Sequence, residues 1–245
     1  MRTPRWCCTR RDSTTWLAVN NAFIASLRRE VTLRIRQPAA ALYPAAFAVL
    51  VALLIGFAVG ANSNALSLIA PAALFIAMLL AVFLALEQMF AGDVSDGTLD
   101  ALVCADHTLL AVLYGKALGF WLSSCATLLL ALPVLMVLLK LSPDLTPLIC
   151  LSLTLASLSL SFLGLAGAAL TARLNAQEGA GAGGAMLLLL LILPQAVPVL
   201  IFALGAVQAA VVGESPKSAL YFLAALSIIY VTFAPFAARL ALRVS

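Results

Sequence analysis

The sequence predicts an all-α membrane protein with six transmembrane helices and one amphipathic helix before them. Of its 245 residues, 64% are hydrophobic and only 10% are charged, and the mean hydropathy is +1.12. Soluble domains are about 45–50% apolar and about 25% charged, so an ordinary globular protein is excluded. The sequence also contains six apolar runs, each close to the roughly 20 residues that a helix needs to cross the ~30 Å hydrocarbon layer.

Each apolar run is uniform rather than alternating. In lipid, every backbone polar group must be paired within the structure, and runs of this kind achieve that only as helices. A membrane barrel would show ~10-residue segments of alternating hydrophobicity, which the sequence lacks. The predicted spans are about 43–61, 66–86, 118–139, 148–171, 186–210 and 220–238.

Lysine and arginine predict how these spans are oriented. Eight of the fourteen precede the first span. With the N-terminus in the cytoplasm, twelve lie on the cytoplasmic side and only Lys140 and Lys217 on the other. This distribution follows the positive-inside rule and predicts that both termini and the 87–117 loop are cytoplasmic. The pI of about 9.0 therefore reports topology and is no argument for nucleic-acid binding.

The chain before the first span divides into two parts. Residues 1–20 show no helical period, and we expect a disordered extension or a misassigned start codon there, with the membrane domain covering 21–245. The following stretch predicts a basic amphipathic helix, in which Glu30 stands four residues before Arg34, a favourable helical ion pair. Such a helix is typical of the membrane surface, where it serves either as a topology anchor or as a docking element. Its predicted apolar face consists of Phe23, Leu27, Val31 and Ile35.

Between the second and third spans lies an acidic segment, residues 87–106, which holds half of the chain's ten Asp and Glu residues. Its start is expected to continue the helix of the second span, through Glu87, Phe90, Ala91 and Val94. Gly97 then interrupts this helix, and Asp96 is placed to cap a second one.

In that second short helix, Leu99 and Leu102 share one face, and Asp96 and Asp100 lie four residues apart beside it. An apolar ridge with an acidic flank fits a groove on a partner protein. The alternatives are a solvated loop or a helix lying on lipid. Because anionic lipid would repel the acidic flank, the pattern favours a protein partner.

Prolines and small residues inside the spans predict how the bundle packs and bends. Pro133, Pro194 and Pro198 each remove an intrahelical hydrogen bond, so we expect helix bending at these positions. Small residues four apart allow two helices to approach closely. The pairs of this kind are Gly56 with Gly60, Gly115 with Gly119, and Gly164 with Ala168.

The other motifs in the sequence do not indicate a catalytic, metal-binding or nucleotide-binding site in this chain. The Gly-rich stretch 178–184 contains GxGxxG, but it follows a membrane span and lacks the Lys-Ser/Thr of a P-loop, so we expect a turn there. His107 is the single histidine and has no second ligand at a suitable spacing, so we expect a solvated or interfacial side chain rather than a metal or heme ligand. No ionisable residue lies clearly inside the central region of a span, which argues against an ion-coupled transporter. We therefore predict no catalytic, metal or cofactor-binding residue.

The segment LEQMFAGDVSDGTLDAL, residues 86–102, resembles the first cytoplasmic loop of the heme exporter protein B family, CcmB. That family is the membrane subunit of the cytochrome c maturation ABC transporter. Similar residues continue through most of the chain, over about 22–245. They include Lys116, Trp121, Pro133, SFLGLAGAALT at 161–171, LPQAVPVLIF at 193–202 and the C-terminal APFAARLALRVS.

The resemblance implies a six-helix membrane subunit of the ABC-2 exporter type in the bacterial inner membrane. It further implies a separate cytoplasmic ATPase subunit that binds ATP, a heme-handling C protein, a small D protein and the heme chaperone E. The chain would bind no cofactor itself. An exporter for a lipid or polysaccharide and a non-transporting scaffold remain alternatives. The residues expected to dock the ATPase are Glu87, Phe90, Asp93, Asp96, Gly97, Leu99, Asp100 and Leu102.

Overall fold

The computed structural model describes residues 15–36, 38–60, 63–86, 89, 108–178 and 183–243. Within these residues the chain forms seven α-helices, and a short 3-10 helix, Pro143–Leu145, precedes the fifth. None of the residues in these ranges is in a strand. The helices are α1 (Thr15–Arg36), α2 (Pro38–Val59), α3 (Ser63–Leu86), α4 (Leu109–Leu138), α5 (Thr146–Glu178), α6 (Gly183–Val212) and α7 (Lys217–Arg243).

The six helices from α2 to α7 are each long and apolar enough to cross a membrane. This confirms the prediction of an all-α, multi-pass membrane protein. The helices extend beyond most of the predicted spans, and the largest difference is at α4, which begins at Leu109 rather than near 118. Helix α1 begins at Thr15, inside the stretch without a visible helical period.

Helices α3 and α5 lie at the centre of the bundle. In each, 67% of the span's residues are buried, against 22% in α2 and in α7. The buried face of α3 carries alanines at helical spacing, which let its neighbours approach closely. Gly164 on α5 makes a similar approach, because a Cβ added there would collide with the buried side chain of Leu86. The close packing predicted for Gly164 is therefore confirmed. The buried alanines of α3 are Ala70, Ala73, Ala77, Ala81 and Ala85.

Buried hydroxyl groups connect the central helix to its neighbours. Ser159 of α5 and Ser227 of α7 share a hydrogen bond of 2.8 Å between their Oγ atoms. On the other side of α5, the indole N–H of Trp121 donates to Ser157 Oγ at 3.2 Å. Hydrogen bonds between helices stabilise membrane bundles because lipid offers no alternative partner. Both contacts fix α5 against α4 and α7.

The prolines predicted to bend the spans lie inside α4 and α6, at Pro133, Pro194 and Pro198. The helices continue through all three residues, as they do through Pro44 and Pro71. Bending at the three predicted positions stays a prediction.

Replacing Gly164 by Leu is expected to lower the free energy of unfolding by about 1–3 kcal/mol, because a side chain there overpacks the contact with Leu86. Thermal unfolding of the purified protein in detergent measures the effect. Gly205→Leu is the matched control, since a Cβ at Gly205 meets no atom within 4 Å. Equal thermal midpoints for the two variants would contradict the packing described at Gly164.

Candidate functional site

The residues predicted to dock a partner, from Glu87 to Leu102, lie outside the described part of the chain. The structure does describe both ends of the segment that carries them. At its start, the N–H of the buried Met89 donates to Leu86 O at 3.0 Å, just after the end of α3. At its end, Thr108 O accepts a hydrogen bond of 3.0 Å from Val112 N–H in the first turn of α4. Any force on the segment therefore acts directly on α3 and α4.

Helix α4 is longer than a membrane span requires. Its 30 residues are about 45 Å long, against ~30 Å of hydrocarbon. A helix perpendicular to the membrane would need about ten residues, or three turns, fewer to cross that layer. The N-terminal part of α4, next to the acidic segment, is the part against which α1 packs.

The contact between α1 and α4 is close because α4 has glycine where the two helices meet. A Cβ on Gly115 would stand 2.6 Å from the carbonyl oxygen of Phe23. A Cβ on Gly119 would stand 2.8 Å from Cβ of Glu30. Any larger side chain at either position would push the helices apart. The prediction that this pair of glycines permits close packing is confirmed.

Polar and charged groups complete this contact, which we call the α1–α4 junction: Ser26, Glu30 and Arg34 on α1, with residues 112–120 on α4. The hydroxyl of Ser26 donates to Val112 O at 3.1 Å. One turn further along α1, Glu30 Oε2 lies 3.6 Å from Lys116 Nζ.

The third contact of the junction is made by Arg34, whose guanidinium carbon lies 4.9 Å from the centroid of the Phe120 ring, in cation–π geometry. Ser26, Glu30 and Arg34 follow each other at four-residue spacing, so all three face α4 along one stripe.

The ion pair of the junction is nearly sealed from solvent. Only 7% of the Lys116 side chain and 12% of the Glu30 side chain are exposed. Breaking such a pair by removing one partner leaves a buried charge without compensation and costs about 3–5 kcal/mol. Burial also lowers the pKa of Arg34, and the nearby Glu30 carboxylate opposes that shift. Glu30 thus lies between two cations, one on its own helix and one on α4.

The sequence pattern alone did not show which face of α1 packs against α4. It predicted that the apolar residues of α1 share one face of a helix lying on the membrane surface and that Glu30 pairs with Arg34. In the structure Phe23 and Leu27 are half-buried, but the polar stripe packs with them, and Glu30 also reaches Lys116. Ile24 and Leu33 are exposed instead. The structure shows α1 as a helix packed on the bundle. The two roles left open for α1, a topology anchor and a docking element, both stay predictions.

The sequence pattern assigned no contact to Lys116, which counts there as a topology-determining cation and as one of the residues that carry the family resemblance. Its burial could have been suspected from its position between the two glycines, since a side chain inside a close helix contact has little room to reach water.

The remaining sequence motifs form no competing site. Helix α5 ends at Glu178 and α6 begins at Gly183, so the GxGxxG stretch follows a helix rather than a strand. His107 lies outside the described residues. Among the described residues, no group of three or more His, Cys, Asp or Glu is placed to hold a metal ion. What the α1–α4 junction can do is mechanical: it holds two helices together beside the acidic segment.

Comparisons with known proteins agree with this architecture. A family model described as "CcmB protein" matches residues 21–245. The chain is 38% identical over 227 residues to heme exporter protein B of Pseudomonas aeruginosa, covering 93% of this chain and 99% of that protein. It is 40% identical over 200 residues to heme exporter protein B of Paracoccus denitrificans, covering 82% and 88%.

A third relative shows the same extent of similarity. Heme exporter protein B of Escherichia coli is 34% identical over 218 residues, which covers 89% of this chain and 96% of that protein. Each match extends over most of both chains, and the family match includes α1 from residue 21 as well as the six spans. On this coverage, the chain belongs to the CcmB protein family.

Proposed function

We propose that this chain is the membrane subunit of an ABC transporter complex for cytochrome c biogenesis. It couples ATP hydrolysis by a separate subunit to the export of heme or to the release of a heme-loaded periplasmic chaperone. Its relatives are named heme exporter protein B, which supports this proposal. The similarity also extends over most of the length of each relative. The absence of a P-loop from the sequence supports a separate ATPase.

The proposed setting is the bacterial inner membrane, with both termini and the acidic segment in the cytoplasm. The excess of Lys and Arg on that side supports this orientation. The proposed partners are the cytoplasmic ATPase subunit, the heme-handling C protein, the small D protein and the heme chaperone E. Heme and ATP are handled by the complex, and this chain supplies the moving helices.

The observation that carries the coupling role is the α1–α4 junction. The acidic segment enters α4 at Thr108, two turns before Lys116. Because Gly115 and Gly119 allow contact at backbone distance, α1 and α4 cannot slide past each other without breaking the buried ion pair. A push on the segment therefore moves both helices as one unit into the bundle.

In this scheme the ATPase contacts the segment at Glu87, Phe90 and the residues from Asp93 to Leu102. Closure of the ATPase on ATP displaces the segment, and α4 passes the displacement to the spans. Pro133 in α4, and Pro194 and Pro198 in α6, provide the positions at which the helices bend, because each lacks the N–H of a regular helical turn.

Two alternatives fit the same topology. An ABC-2 exporter for a lipid or polysaccharide would use the same spans and the same docking logic. A scaffold that transports nothing would pack in the same way but would not respond to ATPase turnover. The names of the relatives favour the heme exporter over both alternatives.

The function is tested in a strain from which the gene is deleted. We expect covalent heme attachment to c-type cytochromes to be lost and to return when this chain is supplied from a plasmid. Chaperone-bound heme is followed in parallel: we expect it to accumulate if the complex releases the loaded chaperone, and to be lost if the complex exports the heme that loads it. Normal cytochrome maturation without the gene would contradict the proposal, whereas an altered lipid or polysaccharide surface would favour the first alternative.

Docking through the acidic segment is tested by reversing the charges of Asp96 and Asp100 with lysine. We expect the ATPase subunit to stop co-purifying while the chain still inserts into the membrane, because the acidic flank no longer matches its partner. The control reverses Asp144, which lies in the short turn before α5 and far from the segment in sequence. An intact complex that still releases the heme-loaded chaperone would show that the docking residues are misassigned.

The junction is tested by a double-mutant cycle of Glu30→Gln, Lys116→Met and the two combined. Each single variant removes the 3.6 Å contact between the two largely buried side chains and should lower the free energy of unfolding by up to about 3–5 kcal/mol. The combined variant should lose less than the sum, with a coupling of about 0.5–3 kcal/mol. Thermal unfolding of the purified complex gives these values.

The same variants separate coupling from assembly. We expect all three to retain the ATPase subunit, while ATP-dependent release of the chaperone falls most in the single variants. The control is Arg28→Gln, an exposed residue of α1. Additive losses of stability, or release that is unchanged in both single variants, would contradict the role given to the ion pair.

A further inference from the structure

Trp121 attaches α4 to the central helix α5, and its indole N–H lies between two acceptors. The nitrogen is 3.2 Å from Ser157 Oγ and 3.4 Å from the backbone oxygen of Thr154. These two oxygens are 3.0 Å apart, because the hydroxyl of Ser157 donates to Thr154 O. Since an indole has a single donor hydrogen, Trp121 shares it between the two oxygens or gives it to one at a time.

The two acceptors differ in their position along α5. The helices run in opposite directions, because the later residue Trp121 lies beside Thr154 and Ser157, whereas the earlier Tyr114 contacts the later Phe162. A push on the start of α4, where the acidic segment joins it, therefore carries Trp121 from Ser157 toward Thr154. The second acceptor thus lies in the direction of the push.

The opposite side of α5 is held by α7. Two residues after Ser157, Ser159 shares a hydrogen bond of 2.8 Å with Ser227 of α7. All three of these serines are buried. Because lipid offers no alternative partner for such groups, α5 stays with α7 when α4 is pushed. The movement therefore occurs between α4 and α5.

The packing beside Trp121 leaves room for this movement. A cleft of about 520 Å³ separates α4 from α5 there, and its walls include Trp121, Cys125 and Leu129 of α4 and Leu155 and Leu158 of α5. Interdigitated side chains would resist a shift of one helix along the other, since a packed interior does not deform continuously. The open cleft removes that resistance over this part of the contact.

We propose that Trp121 is a positioning residue for the coupling step, and that its N–H passes from Ser157 Oγ to Thr154 O as α4 moves along α5. This inference rests on the proposed function, in which the acidic segment pushes α4. The exchange lets α4 move by up to the 3.0 Å between the acceptors without leaving the indole N–H unpaired inside the membrane. The hydroxyl of Ser157 turns away as Thr154 O accepts the indole, because a hydroxyl group rotates to suit its partners.

This contact complements the α1–α4 junction. The junction keeps α4 fixed to α1, because sliding there would break the buried ion pair. The Trp121 contact instead offers α4 two hydrogen-bonded positions on α5. The two contacts together restrict the movement of α4 to a step of defined length.

The two positions are tested by measuring the distance between α4 and α5 in the complete complex. Spin labels are placed on Leu130 of α4 and Leu151 of α5, which are both exposed. In the unchanged chain, trapping the ATPase with bound ATP should shift this distance by up to the 3.0 Å between the acceptors. Ser157→Ala removes the first acceptor, so its distance without nucleotide should already match the ATP-bound state. Ser157→Thr keeps the hydroxyl and should behave like the unchanged chain.

The donor is tested by Trp121→Phe, which keeps an aromatic ring against α5 and removes the N–H. We expect ATP hydrolysis to continue, while the heme-loaded chaperone released per ATP hydrolysed falls about three- to tenfold, the range of one hydrogen bond between membrane helices. Tyr230→Phe is the matched control. It removes an aromatic O–H that donates from α7 to the backbone oxygen of Gln195 on α6 at 3.2 Å, and it should leave release unchanged.

A label distance that is the same in both states of a complex that releases its chaperone would overturn this inference and leave the proposed function standing. A Ser157→Ala distance without nucleotide that equals that of the unchanged chain would do the same. Unchanged release in Trp121→Phe, or an equal loss in Trp121→Phe and Tyr230→Phe, would also overturn it. If the complex with the unchanged chain shows no ATP-dependent release, the proposed function fails, and this inference fails with it.

Discussion

The proposed coupling between the acidic segment and the bundle depends on one contact. This contact is the ion pair between Glu30 and Lys116, which is enclosed where α1 crosses the first turns of α4. The pair is stable there only because Gly115 and Gly119 bring the two helices to backbone distance, which keeps water away from both charges. If the helices separated, two charges would be left against apolar surface. In the proposed function the junction is therefore either closed or broken, because packed interfaces are bistable rather than continuously deformable.

The other helices of the bundle associate for a different reason. In lipid, the hydrophobic effect that packs the core of a soluble protein does not bring helices together. These helices associate through small side chains and shared hydroxyls, as the alanines of α3 and the Ser159–Ser227 bond illustrate. The ion pair between Glu30 and Lys116 lies where α1 meets α4. In the proposed function, the small residues and hydroxyl groups pack the bundle, and the contact between α1 and α4 passes movement along α4.

Sequence reasoning recovered the parts of this architecture that have a strong one-dimensional signal. Six apolar runs predicted six spans, and the spacing of Gly115 and Gly119 predicted a close helix contact, because length and small residues act locally. The partners of charged residues were harder to predict. The sequence predicted Glu30 and Arg34 as a pair within one helix and Lys116 as a topology signal, because nothing in a linear pattern shows that Glu30 and Lys116, which are 86 residues apart, lie together. The docking residues of the acidic segment stay a prediction.

The most direct test of the central claim measures whether α1 and α4 move together. Spin labels on Ile24 of α1 and Leu122 of α4, both exposed, report the distance between the helices in the complete complex. A second label pair, on Leu122 and Phe236 of α7, reports movement of α4 against the rest of the bundle. If the junction transmits the motion, trapping the ATPase with bound ATP changes the second distance and leaves the first unchanged. A change in the Ile24–Leu122 distance between the two states would contradict the account.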